Sequence, residues 1–348
     1  MRDIFTELPR SEWSELDVAA AVRCIPGMAL PLLLGLYTGH LRFGVLAAGG
    51  AFCVGFGSFR RVMQSRRVAM LAAALGVAVS CWVGSVAGLT PVTSVAAAGL
   101  WGLLYGVFSA ISDDAGWVVL QCVIWLVVST SAPLRGIPAL TRCSLVLIGG
   151  LIQFPLIVIS WKLVAPRVPA IRVSQPMVPV KEAVGALRES TWLELYPAQC
   201  ALTLMLGMAI SRSTHWENSY WIPMTSSIVL RPAFTEVVQR GLLRTAGTLC
   251  GAGLAATLTL LVHPHALGLV ALVLIFALGS YLLVYVNPAL FAIAVTPYVV
   301  FLLALAGLPG ASLIRFRALD TLIGGALALP GHALIARLAK QPRRRVHA

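Results

Sequence analysis

Acidic side chains are scarce. The 348 residues hold 13 Asp and Glu against 26 Lys and Arg, and the four types together make up 11% of the chain. Soluble domains carry roughly a quarter charged residues, so this poverty, beside 59% apolar content and a mean hydropathy of +0.88, excludes a water-soluble globule. Paired cysteines are also lacking: the seven cysteines fall singly inside apolar segments, with no CxxC or Cys/His spacing suited to a metal. They read as small buried hydrophobes. No GxxxxGK loop, GxSxG elbow or HExxH helix occurs, and the six histidines are scattered, so enzymology, cofactor and metal are not expected. The N-terminus lacks a signal peptide's order of regions, because Glu7, Glu12, Glu15 and Asp17 precede the first apolar run.

What is present is one apolar run after another. A membrane-spanning helix takes roughly 20 mostly apolar residues. Hydropathy predicts spans near 18–38, 42–58, 68–88, 91–111, 115–133 and 140–162, and a second set near 197–212, 219–231, 243–262, 266–286, 289–307 and 317–336. The expected fold is therefore an all-α integral membrane protein of about twelve transmembrane helices. Its expected parts are a six-helix half over 1–163, a proline-rich cytoplasmic linker over 164–195, a second six-helix half over 196–338 and a basic tail over 339–348.

The net charge of +13 would suggest nucleic acid in a soluble protein. Here the basic residues cluster between apolar runs, as the positive-inside rule expects, and nucleic acid is not expected as a partner. With the N-terminus inside, 20 of the 26 Lys and Arg residues fall on cytoplasmic segments. Arg42, Arg135, Arg142, Arg212, Arg315 and Arg317 stay outside. This predicts a multi-pass protein of a bacterial inner membrane with both termini cytoplasmic.

An internal repeat is the most specific signal. A shift of 175 positions superposes Phe59 on Phe234, Gln64 on Gln239, Gly76 on Gly251, Arg142 on Arg317, Leu147-Ile148-Gly149-Gly150 on Leu322-Ile323-Gly324-Gly325, and Pro155 on Pro330. Six spans is an even number, so two homologous halves would enter the membrane from the same side as a parallel repeat, with a pathway between them.

The stretch from 220 to 253 concentrates candidate site residues: Tyr220 and Trp221, a short span with Thr225, then Arg231-Pro232, Arg240 and Arg244, then Gly247 and Gly251. Tyr220 and Trp221 suit an interfacial belt, and the glycines a close-packing face. Arg317 and Asp320 lie three apart near the start of the last span, on one helix face. Asp320 aligns with Leu145 and Arg315 with Leu140, so the acid is absent from the first copy.

This run of Tyr-Trp, a polar-apolar span, Arg-Pro, spaced arginines and Gly247-Thr248 resembles the signature of the fusaric acid resistance (FUSC) family of the wider aromatic acid exporter group. The RALDTLIGGALA segment, residues 317 to 328, resembles the same family's final-helix motif. Larger members carry a sizeable cytosolic domain that is not matched here. The resemblance implies export of small organic anions, with aromatic carboxylates as prototypes, driven by the proton gradient. The arginines would draw a carboxylate, and Tyr220, Trp221, Trp101 and Trp125 offer rings for stacking. Asp320, with Arg317, Arg315 and Arg142, is the candidate coupling group, against the plainer reading of a structural ion pair. A passive anion channel, as in the distantly similar plant malate transporters, and a non-transporting accessory subunit are the alternatives. Membrane lipid is an expected partner; a periplasmic adaptor and homo-oligomerisation are left open.

Overall fold

A computed structural model describes residues 12–163, 191–214, 218–230, 234–308 and 317–340. The proposed linker, the basic tail beyond residue 340, Arg231 and Arg315 lie outside the described residues. Among those described, every long element is an α-helix: α1 (Val18–Arg23), α2 (Ile25–Tyr37), α3 (Leu41–Gly57), α4 (Arg66–Ala87), α5 (Pro91–Ile111), α6 (Asp113–Thr130), α7 (Gly136–Leu163), α8 (Thr191–Ser213), α9 (Trp221–Val229), α10 (Phe234–Val262), α11 (Ala266–Leu283), α12 (Pro288–Leu305) and α13 (Arg317–Lys340).

Local chemistry sets the helix ends. Ser65, Thr90, Ser112 and Asn287 each turn a side-chain oxygen onto a free first-turn N–H of the helix that follows. Pro91 and Pro288 occupy the first turn, where no N–H is needed. The outward faces are apolar: Leu151 and Ile159 on α7, Leu260 and Leu261 on α10, and Ile275 on α11 are exposed. Such surface suits lipid rather than water. Eight helices among the described residues are long and apolar enough to cross a membrane, with α1 and α2 forming one such span. The protein is a multi-pass membrane protein.

The expectation of twelve full spans is met only in part. α9 has nine residues, about 14 Å at 1.5 Å per residue, which is half of a hydrocarbon core of about 30 Å. It ends just before Arg231-Pro232, where the proline disfavours a helical conformation in the residue before it. α3, with 17 residues, is apolar but short.

Helix limits recur 175 positions apart. Asp113–Thr130 becomes Pro288–Leu305, the start of α5 at Pro91 becomes that of α11 at Ala266, and the end of α4 at Ala87 becomes that of α10 at Val262. The caps Ser112 and Asn287 obey the same shift, as do Pro155 inside α7 and Pro330 inside α13. Packing follows: α4 packs on α6 and α7, and α10 on α12 and α13. Across the chain, α5 packs on α8 while α11 packs on α2, and α6 meets α9 while α12 meets α3.

One stretch departs from the pattern. Phe59 to Gln64 form a tight loop closed by a bridge between Val62 and Ser65, with Met63 and Gln64 at positive φ. Their shifted partners Phe234 to Gln239 lie inside α10. The first loop is held by Asp114, which accepts from the Arg61 N–H at 2.9 Å and from Arg60 at 3.2 Å. At the shifted position stands Ala289, which has no such acceptor.

Candidate functional site

On α9, α10 and α13, several polar side chains are buried at positions whose counterparts 175 residues earlier are apolar. On α9, Thr225, Ser226 and Ser227 are all buried, where the positions 175 residues earlier hold Gly50, Ala51 and Phe52. Ser226 Oγ donates to the Gly324 carbonyl at 2.9 Å, which ties α9 to α13. Asp320 and Thr321 on α13 are buried, against Leu145 and Val146. An acid at the centre of a spanning helix costs about 2.5–3.5 kcal/mol on insertion scales, so such groups face protein or a water-filled path.

On α10, Arg244 and Thr248 stand where the first copy has the buried Ala69 and Ala73. Part of the Arg244 side chain stays accessible, but its Nε is shut off from solvent and has no hydrogen-bond partner. Nearby, Gly241 faces Val229 at the end of α9, where an added Cβ would sit 3.7 Å from Val229 Cγ1. Gly247 presses on the Ala289 carbonyl and the Ala292 methyl of α12.

Several expected site residues are placed differently. Tyr220 and Trp221 stack at 5.2 Å between ring centroids but are 8% and 4% exposed, so they are core rather than belt. The half-length α9 draws its N-terminal aromatics inward against Tyr105 and Tyr196 in one apolar cluster. Arg142 donates to Ser85 Oγ at 3.1 Å and to the Ala132 carbonyl at 2.6 Å, binding the ends of first-copy helices rather than joining Asp320. Trp101 Nε1 donates to Ser80 Oγ at 2.8 Å, and Trp125 Nε1 to Cys53 Sγ at 3.1 Å, so both indoles are anchored in packing. For Arg240 and Arg317 the helix positions are described but not the side chains.

Two features were not legible in the sequence. The first is a cavity of about 340 Å³ at the C-terminal ends of α6 and α8 and the N-terminal ends of α5 and α9. Arg212, Ser131, Asn218, Ser219 and Tyr220 are among its walls, and none of the described residues lining it is acidic. Arg212 donates to the Gly88 carbonyl at 2.6 Å and the Thr130 carbonyl at 3.4 Å, joining α8 to the far ends of α4 and α6. Arg212 had registered only as an outside charge.

The second lies at the opposite end of α4, 22 residues away, about 33 Å along the helix. Arg60 pairs with Asp114 at 3.2 Å, the one ion pair among the described residues. Its guanidinium lies 5.1 Å from the Trp117 ring centroid and 5.0 Å from that of Tyr285. Tyr285 belongs to the α11–α12 loop, and its hydroxyl donates to the Phe59 carbonyl at 3.0 Å. Burial pushes the Tyr285 phenol above its ordinary pKa range, against the pull of the Arg60 guanidinium. The backbone N–H of Glu12 donates to the Val286 carbonyl of the same loop. Four segments thus converge at this end. A shallow basic groove of Arg61, Arg66, Arg67 and Trp161 lies alongside.

An all-helical, multi-pass architecture with polar groups buried inside its spans defines a transporter-type membrane protein. Residues 206–331 match the family model described as fusaric acid resistance protein-like, which supports the resemblance carried by the Tyr-Trp, Arg-Pro and final-helix motifs. The matched stretch contains Arg212, Tyr220, Arg244 and Asp320. No curated protein and no solved structure matches the chain.

Proposed function

We propose that the protein is a secondary exporter of small organic acids, aromatic carboxylates foremost, built as two homologous six-helix halves that rock about their shared interface at the cost of the proton gradient. The single observation that carries this reading is the opposition of the two ends of that interface. At one end a cavity holding a cation and hydroxyls opens between the halves. At the other, the Arg60–Asp114 pair and Tyr285 close it. One end open and one end latched is the arrangement of an alternating-access carrier in a single state. The recurrence of helix limits and caps at 175 positions and the reciprocal packing of α5 on α8 and α11 on α2 support the duplication.

In this reading the latched end is cytoplasmic, because the arginines of the α3–α4 loop and the proposed linker mark that side, and the membrane is a bacterial inner membrane. Asp320 is the group that takes and releases the proton. Everted membrane vesicles test the function: energised vesicles accumulate labelled 4-hydroxybenzoate, and an uncoupler abolishes the accumulation. Flux that follows the anion gradient alone, indifferent to the uncoupler, would assign the protein to the channels. No flux in either condition would leave it an accessory subunit.

A further inference from the structure

Packing accounts for most of the polar side chains inside the spans, but not for two on α10. Arg244 and Thr248 lie one turn apart on the same helix face. Among the described residues Arg244 makes no hydrogen bond or ion pair, and its Nε is closed to solvent and without a partner. Thr248 is 2% exposed, and its Oγ1 has no partner either. A helical threonine ordinarily returns its hydroxyl to the carbonyl four residues back, as Thr245 does to Gly241 at 2.9 Å and Thr259 to Ala255 at 2.8 Å. Thr248 does not.

The duplicated scaffold does not call for either group. At the shifted positions stand Ala69 and Ala73, each with 0% exposure, so small apolar side chains complete the same helix contact. Buried polar groups persist without partners only against a large desolvation cost, and here two of them fall together. On the neighbouring turns of α10, Gly241 faces the Val229 side chain and Gly247 the Ala289 carbonyl and the Ala292 methyl.

We infer that Arg244 and Thr248 form a binding station for the carboxylate of a small apolar or aromatic monoacid, near the latched end of the bundle and wholly within the second copy. The planar guanidinium fork matches a carboxylate with two parallel hydrogen bonds. Thr248 Oγ1 donates a third, and the Val229 and Ala292 side chains on the neighbouring turns offer apolar surface to the body of the ligand. This rests on the export reading and gives it an asymmetric site: one ligand per chain, in the half where these two positions are polar rather than alanine.

The test uses the full chain purified in a neutral maltoside detergent, free of lipid phosphate, with 4-hydroxybenzoate and its uncharged isostere 4-hydroxybenzamide as probes by isothermal titration. The wild type is expected to bind the acid and not the amide. Arg244→Gln is expected to lose binding by at least tenfold while its melting temperature stays equal or rises, because an unpaired buried charge has been removed. Thr248→Val is expected to weaken binding severalfold, and Arg244→Lys to retain part of it. A merely structural arginine would instead lower the melting temperature and spare binding in the protein that remains folded. Equal affinity in wild type and Arg244→Gln overturns the station and leaves the export reading standing. If Arg244→Gln does not accumulate, unchanged affinity in both Arg244→Lys and Thr248→Val overturns it. A wild type that binds no carboxylate sinks the export reading and the station together.

Discussion

Gly149 on α7 lies so close to Ala47 on α3 that an added methyl would land on the Ala47 carbonyl oxygen. Gly324 on α13 meets the Ile222 carbonyl of α9 in the same way, both residues displaced by 175. The contact is backbone against backbone, so no side chain can swing aside. Gly149→Ala and Gly324→Ala are each expected to destabilise by about 1–3 kcal/mol. Gly325→Ala, whose new methyl would meet nothing within 4 Å, is expected to be neutral or to gain about 0.5–1 kcal/mol from helix propensity. Melting of the detergent-solubilised variants separates the two outcomes; equal melting of all three would remove the close approach from the account.

The latch predicts its own weakening. Asp114 accepts from both Arg60 and the Arg61 backbone, so Asp114→Asn leaves a largely buried guanidinium without its counter-ion, at about 1–3 kcal/mol. Tyr285→Phe removes the hydrogen bond to Phe59 but keeps the ring beneath Arg60. Cys24, whose thiol packs against Gly55 and Ser58 near this end, reports the opening. In a variant keeping only that cysteine, maleimide labelling in everted vesicles is expected to rise in the order wild type, Tyr285→Phe, Asp114→Asn. Labelling that ignores both substitutions would mean the latch does not gate this side.

Topology follows from charge. With 20 of the 26 basic residues placed on one side by the expected topology, alkaline phosphatase fused after Leu89 or Gly307 is expected to be active, and fused after Arg67 or Ala348 inactive. Activity at either of the last two positions would invert the assignment of the latched end to the cytoplasm.

Asp320 separates coupling from scaffolding. As a coupling group, its change to Asn leaves expression and 4-hydroxybenzoate binding near wild type and abolishes accumulation driven by the proton gradient. As a structural ion-pair partner, the same change lowers the amount of protein in the membrane. Transport at the wild-type rate with unchanged pH dependence would remove Asp320 from the mechanism.

Composition and periodicity alone determined the class of this protein and most of its helix positions, because a lipid-facing helix must be apolar along its whole length and that requirement is local. The predicted span 91–111 coincides with α5, and 115–133 differs from α6 by a few residues. The match of Gly149 to Gly324 at 175 positions was legible too, since each answers a backbone contact that only glycine permits. Tertiary structure decided what no local rule contains. Tyr220 and Trp221 carry the composition of a membrane belt, yet α9 stops after nine residues and turns them into the core. Arg142 and Arg212 look alike as outside charges, but of the two Arg212 lines the cavity at the ends of α6 and α8 while Arg142 ties helix ends together. Asp114 and Tyr285, remote in sequence, become one latch through Arg60. Which polar groups find partners and which, like Arg244 and Thr248, are left over is a property of the packed bundle, since a hydrogen bond depends on the residue opposite and the chain order does not say which residue that is.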